Sequence, residues 1–301
     1  MNSNWRNAWI LMRIPFSVYL MPVFWLSTSV LPVAGWSWSS VASVFVVLHL
    51  FLYPASNGYN SLIDQDTEPV GGIRKPPPVT VHLKVLVLIF DVLAVGLSFW
   101  IGLYFGFCVS VYWLVSKAYS SPSIRLKKMP VVSWLVVCLF QGGWSVYMIW
   151  CGILGNDSIL DTPHMWFWPL IATLFLAGSY PMTQIYQHES DTKRGDNTLS
   201  VMLGVKGTFL FSFVFIFLGA GLLMFAFIKS EEPMAILILL CATGPSFYYF
   251  FSWAKKVWTD VRFADFEHTM RFNSVSSLGL SIGFILWTCI KFFSISLDLH
   301  P

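Results

Sequence analysis

The sequence predicts an all-α integral membrane protein with about nine transmembrane helices, arranged in two bundles around a central cavity. Hydrophobic residues make up 56% of the 301 positions and charged residues only 11%, whereas soluble domains carry about a quarter charged residues. The apolar residues fall into long runs, and two clusters of polar residues each follow such a run. The net charge of +3 gives no basis for nucleic-acid binding, which needs a basic face.

Nine apolar runs account for the predicted helices. Each has about 16 to 23 residues, close to the ~20 that a helix needs to cross the hydrocarbon core. The first run follows Arg6 and Arg13 but has no clear signal-peptide cleavage site and is followed by further spans, so we expect it to be retained. The runs cover residues 14–31, 39–57, 81–99, 101–116, 131–153, 165–184, 207–228, 233–253 and 273–290.

The distribution of basic residues tests this number of spans. Spans three and four are separated only by residues 100–102, which predicts a tight hairpin. With a cytoplasmic N-terminus, every Lys and Arg except Lys229 and Lys291 falls in a segment predicted to be cytoplasmic, as the positive-inside rule requires. This bias supports nine spans in an inner or plasma membrane. It also places both polar clusters on the cytoplasmic side.

The first polar cluster, Asn57–Lys75, directly follows the second apolar run. Asn60, Asp64 and Glu68 stand at i, i+4 and i+8, so they share one face if the helix continues this far. Asp66 is then expected to point away from them. Three oxygen-bearing side chains on one face predict a site for a hard cation such as Mg²⁺, which prefers oxygen ligands and substrate phosphates.

The second polar cluster, residues 186–199, follows the sixth run and has a similar composition. Its charged residues are Glu189, Asp191, Lys193, Arg194 and Asp196. The two clusters end helices at the same membrane face, so two bundles brought together would make them face each other over one cavity. Carboxylates that face each other at close range disfavour each other's ionisation. Mg²⁺ bound between them together with a diphosphate would offset this repulsion. The pattern therefore predicts a magnesium–diphosphate site.

These clusters resemble two motifs of the UbiA superfamily of intramembrane prenyltransferases. The first motif of that family, N-x-x-x-D-x-x-x-D, is similar to Asn60, Asp64 and Glu68, with Glu in the last place. The second, D-x-x-x-D followed by Gly and Thr, is similar to residues 187–198. There Gln187 stands in place of the first Asp, and Asp191 matches the second.

A third match lies between spans four and five, where the family has a Tyr and a basic segment. The resemblance covers nearly the whole chain, so residues 1–301 are predicted to form a single prenyltransferase domain with one motif, 57–75 or 186–198, in each half. It implies Mg²⁺-dependent transfer of an isoprenyl group from an isoprenyl diphosphate to a small lipophilic or aromatic acceptor. The residues of this third match, which the resemblance implies to be catalytic, are Tyr119, Arg125 and Lys127.

The same resemblance implies roles for the residues of the two clusters. The implied metal ligands are Asn60, Asp64, Glu68, Glu189 and Asp191. The implied diphosphate-binding residues are Asn60, Arg74, Lys75, Lys193 and Arg194. On a regular helix Glu189 is turned roughly 160 to 200° away from Gln187 and Asp191. We therefore expect the helix to unwind before Gly195 so that Glu189 supplies the missing carboxylate.

Other interpretations remain open at the level of sequence. A terpene cyclase on the same scaffold would capture the isoprenyl cation internally, and a secondary transporter would place its polar residues near the bilayer midplane. The bases could act as topology determinants and the acids as solvated loop charge. Three polar residues lie inside the runs. Asp91 is expected to be neutral or paired with another helix, with a direct substrate contact as the alternative. His49 is expected to be an interior histidine, and Gln141 to contact the acceptor or another helix.

Overall fold

The computed structural model describes residues 3–32, 37–155 and 165–298, and no β-strand is formed in these ranges. Nine long helices and one short helix follow each other along the chain. They are α1 (Ser3–Ser29), α2 (Trp38–Asp64), α3 (Val81–Ile101), α4 (Leu103–Ser120), α5 (Pro130–Leu154), α6 (Phe167–Met182), the short α7 (His188–Arg194), α8 (Leu199–Lys229), α9 (Pro233–Thr259) and α10 (Phe266–Asp298).

Each of the nine long helices overlaps one predicted span, although α1, α8 and α10 begin seven or more residues earlier than predicted. Seven of the described helices are long and apolar enough to cross a membrane. The other two are α6, which has 16 residues, and α4, which has 18 and ends in the polar sequence SKAYS. The prediction of an all-α, multi-span membrane protein is therefore confirmed.

Several long helices depart from α-helical geometry within their length. In α1, Arg13 adopts a left-handed conformation (φ 50°) before a 3₁₀ segment at Ile14–Leu20. In α2 and α5, π-helical segments occupy Val46–Leu52 and Leu139–Trp144. Segments of π-helix are rare and are often found at functional sites. In α8, Gly204 (φ 68°) separates a first turn from the long apolar part of the helix.

The hairpin between α3 and α4 forms as predicted. Gly102 is the single residue between the two helices and its backbone is extended. Asp91 of α3 and Lys117 of α4 form an ion pair of 2.7 Å between the antiparallel helices, and the Lys117 ammonium also lies 4.4 Å from the centroid of the Tyr59 ring. Asp91 therefore holds α3 and α4 together rather than facing a cavity.

The main hydrophobic core fills the end of the molecule that lies opposite to the two polar clusters. Most of its buried side chains come from the C-terminal parts of α1, α5 and α8 and from the N-terminal parts of α2, α4, α6 and α9, and α3 and α10 add a few more. Trp150 is fully buried there, and its indole Nε1 donates a hydrogen bond of 3.0 Å to the Ser27 carbonyl. His49 stacks on Phe45 in the same core, with ring centroids 4.5 Å apart. This packing closes the helix assembly at one end.

Close packing between α5 and α6 depends on a glycine. A Cβ added at Gly142 would lie 2.7 Å from the Cα atom of Thr173, which is nearer than carbon atoms can approach without displacement. The backbone N–H of the adjacent Gly143 donates a hydrogen bond of 3.0 Å to the Thr173 hydroxyl. The π-helical segment of α5, which carries Gln141, is thereby fixed against α6.

Candidate active site

The end of α2 places part of the first cluster in a polar pocket. Asn60 and Asp64 share one helix face, and the Asn60 amide donates a hydrogen bond of 2.8 Å to Asp64. The helix ends at Asp64 because Gln65 turns into the left-handed conformation (φ 50°). The chain then directs Asp66 into the pocket and leaves Glu68 exposed outside it. The predicted continuation of the helix to Glu68, and the predicted outward direction of Asp66, are both wrong.

The second cluster forms the short, regular helix α7. Asp191 lies on its buried face and lines the pocket. Glu189 lies on the opposite face with 83% of its side chain exposed, and it pairs at 2.6 Å with Lys193. The predicted unwinding of this helix is therefore wrong, since α7 ends only at Gly195, which adopts the left-handed conformation (φ 72°). Glu189 and Lys193 both remain outside the pocket.

Residues that follow α7 complete this side of the pocket. The Asp196 backbone N–H donates a hydrogen bond of 2.9 Å to the Asp191 carbonyl, which turns the buried Asp196 side chain towards the same pocket. The Thr198 hydroxyl then accepts a hydrogen bond of 3.3 Å from the Val201 N–H and caps α8, as is typical of helix starts.

Ion pairs connect the two clusters with the basic segment between α4 and α5. Arg194 contacts Asp66 and pairs with Asp191 at 2.9 Å. Arg125 pairs with Asp196 at 3.1 Å, and Lys127 contacts Asp64 and lies 3.8 Å from Asp196. The structure therefore brings the two clusters face to face, as the sequence predicted.

A basic residue that sequence reasoning did not assign to the site is Arg13. Its side chain is 6% exposed, and its Nη2 donates hydrogen bonds of 2.9 Å to the Asn57 carbonyl and 3.2 Å to Asn60 Oδ1. Its left-handed backbone lies where α1 is broken. The available signal was a single Arg at the edge of the first apolar run, which was interpreted as a topology determinant.

Tyrosines lie at the base of the polar pocket. The hydroxyls of Tyr119 and Tyr180 form a hydrogen bond, and Gln184 Nε2 donates to Tyr180 at 3.0 Å. The Tyr186 hydroxyl accepts a hydrogen bond of 3.2 Å from the Gly71 N–H, which ties the loop after α2 to the segment before α7. Of these, only Tyr119 was predicted as a site residue.

Two predicted diphosphate-binding residues lie elsewhere. Arg74 has 73% of its side chain exposed and pairs with Glu267 of α10 at 3.0 Å. Lys75 is also exposed, and neither residue lines the pocket. The reason is that the turn at Gly71 and Gly72, both with positive φ, directs the chain back out to the surface before these residues.

The polar pocket is electrically balanced but strongly charged. Four buried or half-buried carboxylates and three cations line a volume of about 210 Å³. A fourth cation, Arg125, does not line this volume but pairs with the lining carboxylate of Asp196 at 3.1 Å. Burial raises the pKa of Asp191 to about 6, although its hydrogen bond to Arg194 opposes the shift. The lining carboxylates are Asp64, Asp66, Asp191 and Asp196, and the lining cations are Arg13, Lys127 and Arg194.

The donor chemistry of the pocket fits Mg²⁺. Asn60 and the four carboxylates supply hard oxygen donors, which is the ligand type that Mg²⁺ takes together with substrate phosphates. Within the described ranges no three acidic, His or Cys side chains converge on a single point, because each carboxylate contacts a cation instead. The same cations suit the oxygens of a diphosphate.

An apolar cavity of about 600 Å³ adjoins the polar pocket. Phenylalanine, leucine and other apolar side chains from α1, α6, α8, α9 and α10 form most of its wall. Residues that line both spaces form a neck between them: Phe16, Ser56, Asn57, Tyr112, Gln141, Tyr180 and Thr183. A ligand with a charged head and an apolar tail therefore fits across the neck.

Solved structures show the same fold. A UbiA homolog from Aeropyrum pernix K1 superimposes with a TM-score of 0.69 at 14% identity, covering 93% of this chain and 98% of that one. A UbiA homolog from Archaeoglobus fulgidus bound to GPP and Mg²⁺ gives 0.65 at 16%, covering 94% and 99%. A digeranylgeranylglyceryl phosphate synthase gives 0.57 at 15%, covering 95% and 98%. No curated protein matches the chain significantly in sequence.

Fold and site together define a class of protein. It is a multi-pass membrane protein in which two acidic motifs meet in a charged pocket that adjoins an apolar cavity. The model of the UbiA prenyltransferase family matches residues 19–275. The chain therefore belongs to the UbiA prenyltransferase family, whose reaction is prenyl transfer within the membrane.

Proposed function

We propose that the protein transfers an isoprenyl group, in the presence of Mg²⁺, from an isoprenyl diphosphate to an electron-rich lipophilic acceptor inside the membrane. The observation that carries this proposal is the junction of a charged pocket of about 210 Å³ with an apolar cavity of about 600 Å³. A diphosphate and an isoprenyl tail require these two environments side by side.

The basic residues in and next to the pocket hold the diphosphate and stabilise its departure. Arg13, Arg125, Lys127 and Arg194 are fixed by carboxylate or amide partners, so they are oriented before the substrate binds. The bond between C1 of the isoprenyl group and the diphosphate oxygen breaks, and its electron pair leaves with the diphosphate. Preoriented cations lower the energy of the charge that develops there.

The oxygen donors of the pocket would hold the metal. Asn60, Asp64 and Asp66 line one side, and Asp191 and Asp196 line the other. Bound Mg²⁺ would neutralise negative charge on the diphosphate oxygens. This set replaces Glu68 and Glu189 of the sequence prediction by Asp66 and Asp196, which are buried in the pocket.

The apolar cavity receives the tail and the acceptor. The allylic cation left by the diphosphate is attacked by the acceptor, a new bond forms at C1, and the acceptor loses a proton. Apolar walls keep water away from the cation, which would otherwise be quenched. Tyr180 lies at the neck, and its hydroxyl bonds to that of Tyr119 in the polar pocket, next to the place that C1 takes when the diphosphate occupies the pocket.

We further propose that the chain acts as a single domain, with the polar pocket facing the cytoplasm. Motif residues from both halves of the chain form the pocket, so neither half has a complete site. The bias of basic residues towards one set of loops supports the cytoplasmic orientation.

A reconstituted assay tests the proposal. Purified protein in nanodiscs is incubated with Mg²⁺, labelled geranyl, farnesyl or geranylgeranyl diphosphate and an acceptor panel, and diphosphate release and product mass are followed. We expect product with wild-type protein, none after chelation with EDTA, and at least a hundredfold loss in Asp64→Asn. Glu189→Gln is the control and should stay within about twofold of wild type.

Three results would contradict the proposal. They are Mg²⁺-independent turnover, a wild-type rate in Asp64→Asn, and a failure to bind any isoprenyl diphosphate. Product formed without any acceptor would instead identify the protein as a cyclase.

A further inference from the structure

The wall of the apolar cavity carries a polar patch on α10. Asn273, Ser276 and Ser277 line the cavity on the same helix face as Leu280 and Phe284. Asn273 is 7% exposed and Ser277 is 6% exposed. This patch is unlike the rest of that helix face, which continues with apolar side chains towards the closed end of the molecule.

Two polar atoms of the patch have no hydrogen-bond partner. The Asn273 amide nitrogen and the Ser276 hydroxyl are buried and unpaired in the part of the chain that the structure describes. By contrast, the two hydroxyls that α9 contributes to the cavity wall are paired: Ser246 donates to the Val275 carbonyl at 3.1 Å, and Thr243 donates to the Leu239 carbonyl at 2.6 Å. A buried amide donor without a partner is costly, above all inside a membrane where water is scarce. A ligand that bonds to these atoms would remove the cost.

The position of the patch along α10 relates it to the reaction. Met270, three residues earlier, lines the polar pocket. At a rise of about 1.5 Å per residue, Asn273 lies about 4.5 Å below Met270 along the helix axis, and Ser276 about 9 Å below it. The patch therefore begins directly beyond the neck, at the depth where the new bond to C1 has to form.

The electrostatics of the cavity limit what can bind beside the patch. Among the described residues that line it, none is Asp, Glu, Lys, Arg or His. An ionised carboxylate or phosphate placed there would be buried without a counterion, which is strongly unfavourable. A neutral oxygen, by contrast, finds a donor in the Asn273 amide and a donor or acceptor in the Ser276 hydroxyl.

We propose that Asn273 and Ser276 form the acceptor subsite, and that the acceptor is an uncharged lipophilic molecule whose hydroxyl or carbonyl oxygen is bound by these two side chains. The proposal rests on the proposed prenyl transfer and adds the class of its second substrate. It predicts that an acceptor which carries a carboxylate or a phosphate is a poor substrate, because its charge would lie among apolar side chains.

Matched acceptor pairs that differ only in charge test the class of substrate. The pairs are methyl 4-hydroxybenzoate with 4-hydroxybenzoate, methyl 1,4-dihydroxy-2-naphthoate with its acid, and a monoalkylglycerol with its phosphate. We expect the neutral member of at least one pair to be prenylated with kcat/KM more than about a hundredfold above its charged partner. Preference for the charged members, or product from no member of any pair while the donor is cleaved, overturns the proposal.

Variants of the patch test the assignment of the residues. Asn273→Leu and Ser276→Ala should each raise KM for the neutral acceptor roughly tenfold, the order of effect of one lost hydrogen bond. Both should leave the donor KM and the acceptor-free release of diphosphate unchanged. Thr288→Val is the matched control on the same helix, since the buried Thr288 hydroxyl donates to the Phe284 carbonyl at 2.8 Å and does not line the cavity.

The outcomes separate this proposal from the proposed function. An unchanged acceptor KM in both variants, or a parallel rise in the donor KM, overturns the acceptor subsite while prenyl transfer stands. Absence of any diphosphate binding or cleavage by wild-type protein refutes prenyl transfer itself. If Asn273→Leu does not fold, the milder Ser276→Ala gives the same readout.

Discussion

The substitution Asp66→Asn tests which carboxylate of the first cluster belongs to the site. The structure places Asp66 in the pocket, whereas the sequence motif predicts Glu68. Asp66 has 6% of its side chain exposed and contacts Arg194, whereas Glu68, two residues later, is exposed and lines neither the polar pocket nor the apolar cavity. Asp66→Asn and Glu68→Gln make the same chemical change in the same loop. Their comparison therefore isolates the effect of position.

The magnitude follows from the partners of Asp66. Breaking a buried ion pair costs about 3 to 5 kcal/mol when the remaining charge is left alone. Here Arg194 retains Asp191 at 2.9 Å, so we expect a smaller loss of stability in Asp66→Asn, about 2 kcal/mol. The loss of a group that holds the metal and diphosphate should lower kcat/KM about a hundredfold, comparable with loss of one preoriented transition-state contact. Glu68→Gln should change stability by less than about 0.5 kcal/mol, as is usual for an exposed site.

The assay is a Mg²⁺ titration of diphosphate release for the two variants and wild type, with thermal unfolding measured on the same samples. Asp66→Asn should need a higher Mg²⁺ concentration for half-maximal activity, because one oxygen donor with a negative charge is lost. Equal activity and equal Mg²⁺ dependence in the two variants would refute the placement of Asp66 at the metal. Greater damage in Glu68→Gln would show that the helix of α2 continues to Glu68 in the working enzyme.

Three further predictions follow from the site. Arg13→Ala should lower kcat/KM at least tenfold while the exposed Arg6→Ala has no effect, because only Arg13 contacts Asn60; equal rates in the two variants would contradict its role. The pKa of Asp191 is raised to about 6, so the folded protein binds a proton more tightly than the unfolded chain, and the stability due to this group falls as pH rises from about 4 to about 6. The apparent Tm of wild type should therefore drop by a few degrees over that range relative to Asp191→Asn, and parallel curves would contradict the shift. In a cysteine-free background, Cys placed at the exposed Thr67 and Asn197 should be labelled from the same, cytoplasmic side, and labelling from opposite sides would rule out a shared pocket.

The fold was predictable because helix length and hydropathy determine membrane spans. Each apolar run is long enough to need a helix, and the hydrogen bonds of a backbone in lipid must be satisfied within that helix. The tight hairpin predicted at residues 100–102 followed from the absence of room for a longer connection, although only the structure shows that Gly102 alone connects the two helices. The 3₁₀ and π segments in α1, α2 and α5 were not predicted, since they result from packing between helices rather than from local composition.

The site was predictable in outline but not in its individual residues. Asp64 and Asp191 line the same pocket, and their role as metal ligands stays a prediction. Their direction was predictable because they lie within helices, where spacing determines direction. Glu68 was misplaced since helix α2 stops at a left-handed Gln65, and no Gly or Pro marks that boundary. Glu189 was misplaced because the polar composition of α7 suggested unwinding, whereas its Lys193 pair at i+4 supports the helix.

The most direct test of the account is a structure of the protein with Mg²⁺ and a non-cleavable thio analogue of an isoprenyl diphosphate. We expect the diphosphate in the polar pocket, in contact with Arg13, Arg125, Lys127 or Arg194, with the metal held by oxygens from both acidic clusters. The tail should pass through the neck into the apolar cavity. A diphosphate bound at the exposed Arg74 and Lys75, or a metal held by one cluster alone, would contradict the claim that the two motifs form one site.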